Sequence, residues 1–504
     1  MFSDHDSLYS STKLNLSGLG LTQIEAYTFD GLDNLQNLDL SNNNLSYIDA
    51  DAFRGLANLK ELQLNYTHLT YINGLTFSDL NSLEYLFLYG NQLSSLDSNI
   101  FNGLSNLQYL YLDLNNFNSF NASTFVSIAN LSLLSVGFNN LSDLNFLNSF
   151  TKLNYLTLGG NPLIQLDENT FSNFAFATNL YYLDLSSNQY TYLPKNVFTP
   201  LSNLRFLFLF SNLLSYLEED TLYGITNLNY LVLSVNQFSH FNASAIQNLT
   251  SLTYFRLDWN NLVELPADLF QGINTLQIVA LGNNQLTYID EKLFYELSDL
   301  YFLTLNNNQL TSLNSTTFIY NQHLQYLYLY ENQISSLNAT IFSDLTSLYY
   351  LDLDSNSLAN STIDLFNGLS NLYYLGLQNN QLTTLDAKTF FNLTQLTTLD
   401  LTSNLFDLDS ESAIIDAFSN INNLNMITIY LGGNPIYNKL TDEQPLCGNN
   451  TKCYIYTYST PTPTFTIVTT TTTLNSSSNC KPISNIYLNF TVNFVESNFY
   501  TLYS

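Results

Sequence analysis

A single pattern, LxxLxLxxNxLxxLxxxxFxxLxx, recurs along this 504-residue chain with a period of 24 residues. We take its Asn as the marker of each repeat and count the other positions from that marker. The 18 marker positions, 16 of which are Asn, are Leu19, Asn43, Thr67, Asn91, Asn115, Asn139, Asn161, Asn188, Asn212, Asn236, Asn260, Asn284, Asn308, Asn332, Asn356, Asn380, Asn404 and Asn434. So regular a period predicts a stack of similar units in place of several globular domains.

The leucines of each LxLxx segment alternate with variable residues, as in a β-strand. Period two places the leucines on the inner face of a short strand and the variable residues on its outer face. Because one such strand buries little surface, the repeats are expected to stack in parallel, each covering the next. The marker Asn follows the strand, where its amide can pair with backbone groups of adjacent turns. We therefore predict a ladder of Asn side chains.

A Phe that follows the marker by ten residues predicts a second internal spine on the opposite, convex side of the stack. The segments around it, such as DADAFRGL, are too short for a long helix and suit one helical turn or irregular structure. The repeats that carry this residue contribute Phe29, Phe53, Phe77, Phe101, Phe125, Phe171, Phe198, Phe270, Phe294, Phe318, Phe342, Phe366 and Phe390.

These residues resemble the leucine-rich-repeat superfamily, in particular its typical 24-residue class, over about residues 11 to 437. That class occurs in extracellular receptors and matrix proteins. The resemblance implies an α/β solenoid of horseshoe shape, with a concave parallel β-sheet and short helical or irregular convex segments. It also implies that ligands bind on the concave side, but it does not name the ligand.

The two ends of the chain depart from the repeat pattern. We interpret residues 1–12 as a short degenerate cap or a truncated start, 13–437 as an array of 18 repeats, and 438–455 as a degenerate C-terminal cap. Residues 456–479 are rich in Thr, Pro and Ser, which predicts a linker or stalk. In residues 480–504 apolar and polar residues alternate, a pattern that is compatible with short strands. The candidates for disulfide formation are Cys447, Cys453 and Cys480, of which at most one internal pair can form.

The charge of the chain restricts its partners. Twelve Lys and Arg residues against 41 Asp and Glu residues give a net charge of −29, which argues against nucleic acid and favours a partner with basic groups. The sequence contains no apolar run of about 18 residues or more, so it predicts no transmembrane segment. The four histidines fall in different repeats without a catalytic or metal-ligand arrangement, so we expect no catalytic residue, no cofactor and no metal site.

The residues that flank the strand leucines are the candidates for partner binding, because they face outward. Exposed aromatic side chains with scattered acids are typical of interface hot spots. For one aromatic column, which runs from Tyr85 to Tyr374, stacking between neighbouring strands is the alternative explanation. The predicted partner-binding residues are Tyr85, Phe87, Tyr89, Tyr109, Tyr111, Asp113, Phe206, Phe208, Phe210, Arg256, Asp258, Trp259, Tyr326, Tyr328, Tyr330, Asp352 and Asp354.

Many Asn-x-Ser/Thr sequons occur, although a chain this rich in Asn, Ser and Thr produces some by composition alone. Together with the Thr-rich segment they favour an extracellular or cell-surface location. The candidates for N-glycosylation are Asn121, Asn242, Asn248, Asn314, Asn338, Asn360, Asn392, Asn449 and Asn475.

The sequence therefore predicts a non-catalytic module that binds a protein or glycan ligand on its concave face. Two alternatives stay open at this point. One is a structural role in matrix or cell adhesion, and the other is a cytoplasmic scaffold.

Overall fold

The computed structural model describes residues 11–163, 165–359, 364–421, 427–438 and 453–456. Residues 457–504, which include the remainder of the predicted linker and the predicted C-terminal segment, lie outside the described residues. Five of the predicted site residues also lie outside them: Asn360, Asn449, Asn475, Cys447 and Cys480.

Nineteen short strands of the described residues pair in parallel and in chain order to form one sheet. A second, two-stranded pairing joins Gln23–Ile24 to Tyr47–Ile48. The strands of the large sheet are Lys13–Asn15, Asn37–Asp39, Glu61–Gln63, Tyr85–Phe87, Tyr109–Tyr111, Leu133–Ser135, Tyr155–Thr157, Tyr182–Asp184, Phe206–Phe208, Tyr230–Val232, Tyr254–Arg256, Ile278–Ala280, Phe302–Thr304, Tyr326–Tyr328, Tyr350–Asp352, Tyr374–Gly376, Thr398–Asp400, Ile427–Tyr430 and Cys453–Tyr456.

The strand leucines point into the solenoid, as the alternation predicts. Leu327 and Leu329, on either side of Tyr328, are fully buried. Equivalent leucines stack on one another along the sheet, for example Leu303 against Leu327 and Leu327 against Leu351. The parallel stack is therefore confirmed, and its outward side is called the concave face below.

The predicted Asn ladder is present, and Asn308 shows its geometry. The side-chain amide of Asn308 donates to the carbonyl oxygen of Leu305 at 3.1 Å and to that of Leu281, one repeat earlier, at 3.1 Å. Its Oδ1 accepts the backbone N–H of Leu286, also in the preceding repeat, at 2.9 Å. One side chain thus satisfies both a donor and acceptors at the turn, which stabilises the contact between repeats.

Two marker positions without Asn show what the amide contributes. At Thr67 a hydroxyl replaces it and donates to the carbonyl oxygen of Leu64 at 2.8 Å. At Leu19 the side chain is apolar and exposed, and the amide contacts of the first turn come from Asn43. The ladder therefore begins at Asn43.

The Phe spine packs beneath the convex segments, where its rings are buried. Neighbouring rings stack, with centroids 5.9 Å apart for Phe29 and Phe53 and 5.7 Å apart for Phe101 and Phe125. The convex segments are mostly turns with short 3₁₀ helices, as predicted. These helices are Ala122–Ile128, Asn145–Ser149, Ala177–Asn179, Ala243–Ala245 and Pro435–Asn438.

The longest repeat holds its additional residues on the convex side. The 30-residue step from Asn404 to Asn434 includes α1 (Glu411–Ser419), a nine-residue α-helix that buries Ile414, Ala417 and Phe418. Six additional residues leave room for this helix, which exceeds the single turn expected from the other repeats. The strands on either side keep their pairing, so the insertion does not interrupt the sheet.

Candidate binding face

The outward positions of the strands form three columns on the concave face, which lie six, four and two residues before each marker. The register brings equivalent positions together, so that Tyr85 faces Tyr109 and Phe87 faces Tyr111. All the predicted partner-binding residues except Trp259 occupy these columns. Trp259 lies directly before the marker Asn260.

The first group of predicted residues, which we call the N-terminal aromatic cluster, consists of Tyr85, Phe87, Tyr89, Tyr109 and Tyr111. Tyr85 and Tyr109 stack with ring centroids 4.3 Å apart, and Phe87 and Tyr111 stack at 4.7 Å. The Tyr89 ring meets that of Phe87 edge to face. All five residues are half-buried, so each keeps part of its ring available to a partner.

Phe206, Phe208 and Phe210 continue the aromatic surface along the middle of the sheet and are also half-buried. The Phe206 ring lies 4.6 Å from that of Tyr230, and the Phe208 ring lies 5.0 Å from that of Tyr182. Contacts of this kind stabilise neighbouring strands. These rings therefore serve the sheet as well as forming its surface.

Arg256 and Asp258 form an ion pair on the concave face. The Arg256 Nε donates to Asp258 Oδ1 at 2.9 Å and its Nη2 to Oδ2 at 2.6 Å, which is a bidentate arrangement. Ser234 Oγ donates to the same Oδ1 at 2.6 Å. Burial acts to lower the pKa of Arg256, but the neighbouring Asp258 and Tyr254 outweigh it and raise that pKa.

The last group, the C-terminal cluster, consists of Tyr326, Tyr328, Tyr330, Asp352 and Asp354. The Tyr328 ring meets that of Tyr330 edge to face at 6.3 Å. Asp352 accepts the backbone N–H of Asp354 at 3.1 Å. Burial, together with the charges of Asp352 and Asp400, raises the pKa of Asp354 well above its usual range.

Four predicted residues are far less accessible than the sequence suggests. Asp258, Tyr328, Asp352 and Asp354 expose only 5–7% of their surface, whereas Trp259 exposes 52%. The reason is that strands about 4.8 Å apart bring large side chains of neighbouring columns into contact, as the rings of Phe302 and Tyr350 contact that of Tyr328. Period two alone identifies the face on which a residue lies, but not how much of it the neighbouring residues cover.

Some residues of this surface were not among the predicted set. Tyr350 and Tyr374 stack at 4.3 Å beside the C-terminal cluster, and both are largely buried. Tyr349 and Tyr373, seven residues before their markers, are exposed at the edge of the sheet. If the alternation of inward and outward residues continued one residue before the strand, these two side chains would point inward. The strands begin only at Tyr350 and Tyr374, so the alternation does not reach them.

Asp113 lies at the edge of the N-terminal aromatic cluster and accepts several hydrogen bonds. Its Oδ1 accepts Ser135 Oγ at 2.5 Å and the backbone N–H of Gly137 at 2.8 Å. Burial raises the pKa of Asp113 to about 6, although both hydrogen bonds act to lower it. Since the pKa in the unfolded chain is about 3.9, the folded protein binds more protons than the unfolded chain between these values. Protonated Asp113 therefore contributes to the stability of the fold. That contribution is full below the pKa of the unfolded chain and is lost as pH rises through about 6.

We therefore expect Asp113→Asn to gain stability relative to the wild type as pH rises from 4 to 7. The amide keeps an acceptor oxygen but carries no charge. A shift of this size corresponds to about 2–3 kcal/mol, and the partial exposure of Asp113 reduces the expected gain to about 1–2 kcal/mol. Urea unfolding at both pH values measures it, with Asp51→Asn as an exposed control. An equal difference between Asp113→Asn and wild type at both pH values would contradict this expectation.

Several predicted glycosylation sites also have a structural role. Asn121, Asn242, Asn314 and Asn338 each accept the N–H of the Ser or Thr two residues later, at 3.0–3.1 Å. Other repeats place Asp at the same position, and Asp290 accepts the N–H of Lys292 at 2.9 Å. Local capping therefore explains part of the sequon count. These four asparagines, together with Asn248 and Asn392, are exposed.

Among the described residues, no group of three or more His, Cys, Asp or Glu side chains is arranged to hold a metal ion. In the same part of the chain, no helix has both the length and the apolar character needed to cross a membrane.

Comparison with known proteins identifies this arrangement. A family model described as leucine rich repeat matches overlapping segments, namely residues 12–69, 46–93, 57–117, 88–141, 151–214, 211–262, 256–310, 298–358 and 348–406. Among curated protein sequences, no match was found.

Solved structures share the same architecture. A leucine-rich-repeat protein of Leptospira interrogans is 26% identical with a TM-score of 0.64, and the alignment covers 83% of this chain and 96% of that one. Toll, in the glycosylated Toll–Spatzle complex of Drosophila, is 22% identical with a TM-score of 0.63, over 84% of this chain and 57% of that one. The functional domain of InlJ from Listeria monocytogenes is 23% identical with a TM-score of 0.54, over 75% of each chain. Because the family model matches well over half of the present chain, this chain belongs to the leucine-rich-repeat family.

Proposed function

We propose that this protein is a non-catalytic binding protein that holds a protein ligand with basic groups on its concave face. The observation that carries the proposal is the aromatic surface of the three columns. The half-buried Phe87 ring is held by stacking on Tyr111 of the neighbouring strand, and the Tyr89 ring meets Phe87 edge to face. Rigid aromatic side chains lose little conformational entropy on binding, and they are enriched among the residues that dominate interface energetics.

Trp259 supports the proposal because folding does not explain its identity. The residue has a φ of 56°, in the left-handed region that Gly and Asn occupy at lower cost. Eight of the 18 repeats place Gly or Asn there, as at Asn283 and Gly90, and the others place Ser or a larger residue, such as Tyr66 or Phe138. A bulky ring in this conformation that remains 52% exposed adds little to the core. Partner contact is a function that such a ring serves well.

The charge of the chain supports a basic partner. The net charge is −29, and carboxylates of the concave face, such as Asp184 and Asp354, have pKa values raised by burial. A cationic group of a partner favours the charged form of such a carboxylate. The N-terminal aromatic cluster and the C-terminal cluster lie ten strands apart, or roughly 48 Å at about 4.8 Å per strand. One elongated partner, or two domains of one partner, can span that distance.

We also propose an extracellular or cell-surface location. The exposed asparagines Asn121, Asn242 and Asn338 support it, because a glycan on the Asn nitrogen leaves the capping oxygen unchanged. Glycosidase treatment of the native protein tests this location, since an unchanged mobility would argue for the cytoplasmic scaffold.

The binding face is tested by photo-crosslinking from the native surroundings of the protein. A photoreactive phenylalanine replaces Trp259, which lies beside the columns of the concave face, or, in a matched control, Tyr223 on the convex side, where that side chain is 53% exposed. We expect a specific protein adduct from position 259 and none from position 223.

The affinity of the purified partner is then measured with variants. Phe87→Ser and Trp259→Ala are each expected to weaken binding at least about tenfold, or about 1.4 kcal/mol. Tyr223→Ala should leave the affinity unchanged. Binding should also weaken between 0.15 M and 1 M salt, as the Debye length falls from about 8 Å to about 3 Å. Correctly folded concave variants that keep full affinity, or an adduct confined to position 223, would refute the proposal.

A further inference from the structure

We propose that a groove at the edge of the sheet, where the chain enters the strands, binds a neutral oligosaccharide. The groove has a volume of about 730 Å³ and crosses four consecutive repeats, from Gln325 to Thr397. It is an open groove and not an enclosed cavity, which suits an elongated ligand. It lies outside the three columns of the concave face, apart from Tyr326 at its margin.

The groove is built by two positions of the repeat. Ser347, Asn371 and Gln395 lie nine residues before their markers, and Tyr349 and Tyr373 lie seven residues before theirs. Because equivalent positions of parallel repeats lie side by side, these side chains form two parallel rows. The longer row, from Gln325 to Thr397, extends over three strand steps, which is about 14 Å at about 4.8 Å per step.

The chemistry of the lining is neutral throughout. Every side chain that lines the groove is an amide, a hydroxyl or a tyrosine, although the chain as a whole carries a charge of −29. Amides offer a donor and an acceptor close together, which suits the neighbouring hydroxyl groups of a sugar ring. The lack of charge makes this groove a poor site for the basic partner of the concave face.

Tyr349 and Tyr373 supply the apolar part of the site. Their rings stack with centroids 4.8 Å apart and planes 10° apart, yet the residues remain 40% and 42% exposed. The next equivalent residue, Thr397, is small and leaves room beside the outer side of Tyr373. A sugar packs the C–H bonds of one ring face against an aromatic ring, while its hydroxyl groups bond to the amides around it.

The same geometry argues against a peptide. The strands beside the groove are paired on both sides, as Tyr350–Asp352 is with its neighbours, so no free strand edge can accept an added strand. An amphipathic helix needs an apolar groove, and this lining contains no aliphatic side chain. A proline-rich segment docks between separated aromatic rings, but Tyr349 and Tyr373 are in contact with each other.

The experiment measures binding of four neutral trisaccharides: cellotriose, maltotriose, mannotriose and triacetylchitotriose. Isothermal titration calorimetry gives the affinity, and saturation-transfer NMR reports sugar protons close to aromatic protons. We expect at least one trisaccharide to bind at millimolar concentration or below. Tyr373→Ala and Asn371→Ala should each weaken that binding at least about tenfold. Both residues are exposed, so thermal melting should show that the variants fold normally.

The matched control is Tyr181→Ala. Tyr181 occupies the same repeat position and is 46% exposed, but the equivalent residues beside it, Asn154 and Arg205, are not aromatic. Sugar binding should be unchanged in this variant and unchanged by 1 M salt, which separates the result from the salt-sensitive binding proposed for the concave face. The proposal is overturned if no trisaccharide binds or if binding survives both groove variants. It is also overturned if those variants weaken binding of an uncharged proline-rich peptide while no sugar binds.

Discussion

Leu329→Ala is expected to lower the free energy of unfolding by about 2–5 kcal/mol, the usual cost of truncating a buried leucine. Leu329 is fully buried and lies directly after the strand Tyr326–Tyr328, before the turn that holds the Asn ladder. Its side chain lies between the equivalent leucines Leu305 and Leu353, so truncation opens a cavity shared by three repeats. Urea unfolding followed by circular dichroism measures the change in midpoint.

The control for Leu329→Ala is the same substitution at Leu75, which is 60% exposed on the convex side. That variant should unfold within about 0.5 kcal/mol of the wild type, because little apolar contact is lost. Because each repeat contacts only its neighbours, hydrogen exchange in Leu329→Ala should increase most in the repeats around residue 329. Equal midpoints for Leu329→Ala and Leu75→Ala would show that strand leucines do not carry the stability of the array.

The fold could be predicted from the sequence because each of its determinants repeats at a fixed spacing. Leu327 and Leu329 define the inward face of a strand, and Asn332 defines the turn that follows. An independent period-24 signal from the Phe residues defines the convex packing. Agreement among these signals at every level leaves few alternative structures for the chain.

Irregular repeats were harder to predict. The 30-residue step after Asn404 shows that extra residues are present but not what they form. Their hydrophobic pattern spans only Glu411–Ser419, and an isolated helix of nine residues is marginal in water. Burial of Ile414 and Phe418 against the solenoid is what stabilises this helix.

The candidate site was predictable in position but not in accessibility. The alternation assigned Tyr328 and Asp352 to the concave face, where the structure places them, yet both are largely buried. Their burial depends on the size of residues one repeat away, such as Tyr350, whose ring lies 5.0 Å from that of Tyr328. The groove at Tyr349 and Tyr373 was missed because its rows lie just outside the strands.

The Asn ladder contributes to stability through hydrogen bonds that span two repeats, and Asn308→Asp should be more damaging than Asn308→Ala. Alanine removes the donor to the carbonyl oxygens of Leu281 and Leu305 and the acceptor for the N–H of Leu286, at an expected cost of about 1–3 kcal/mol. Aspartate keeps the acceptor, but it places a carboxylate oxygen against those carbonyl oxygens. The cost of such an uncompensated buried charge is expected to be about 3–5 kcal/mol.

The pH dependence separates these two effects. A buried carboxylate that keeps only the Leu286 N–H as a donor and faces two carbonyl oxygens has a raised pKa, so the folded form of Asn308→Asp binds a proton more readily than the unfolded chain. Its deficit relative to the wild type should therefore shrink as pH falls from 7 toward 4, whereas the deficit of Asn308→Ala should stay constant. Asn203→Asp is the control, because the exposed Asn203 donates to a single carbonyl oxygen, that of Thr178, and water can replace this bond. If Asn308→Asp unfolds at the same urea concentration as Asn203→Asp at pH 7, the amide at the marker position is ordinary turn chemistry, and the sheet and the apolar packing hold the repeats together without it.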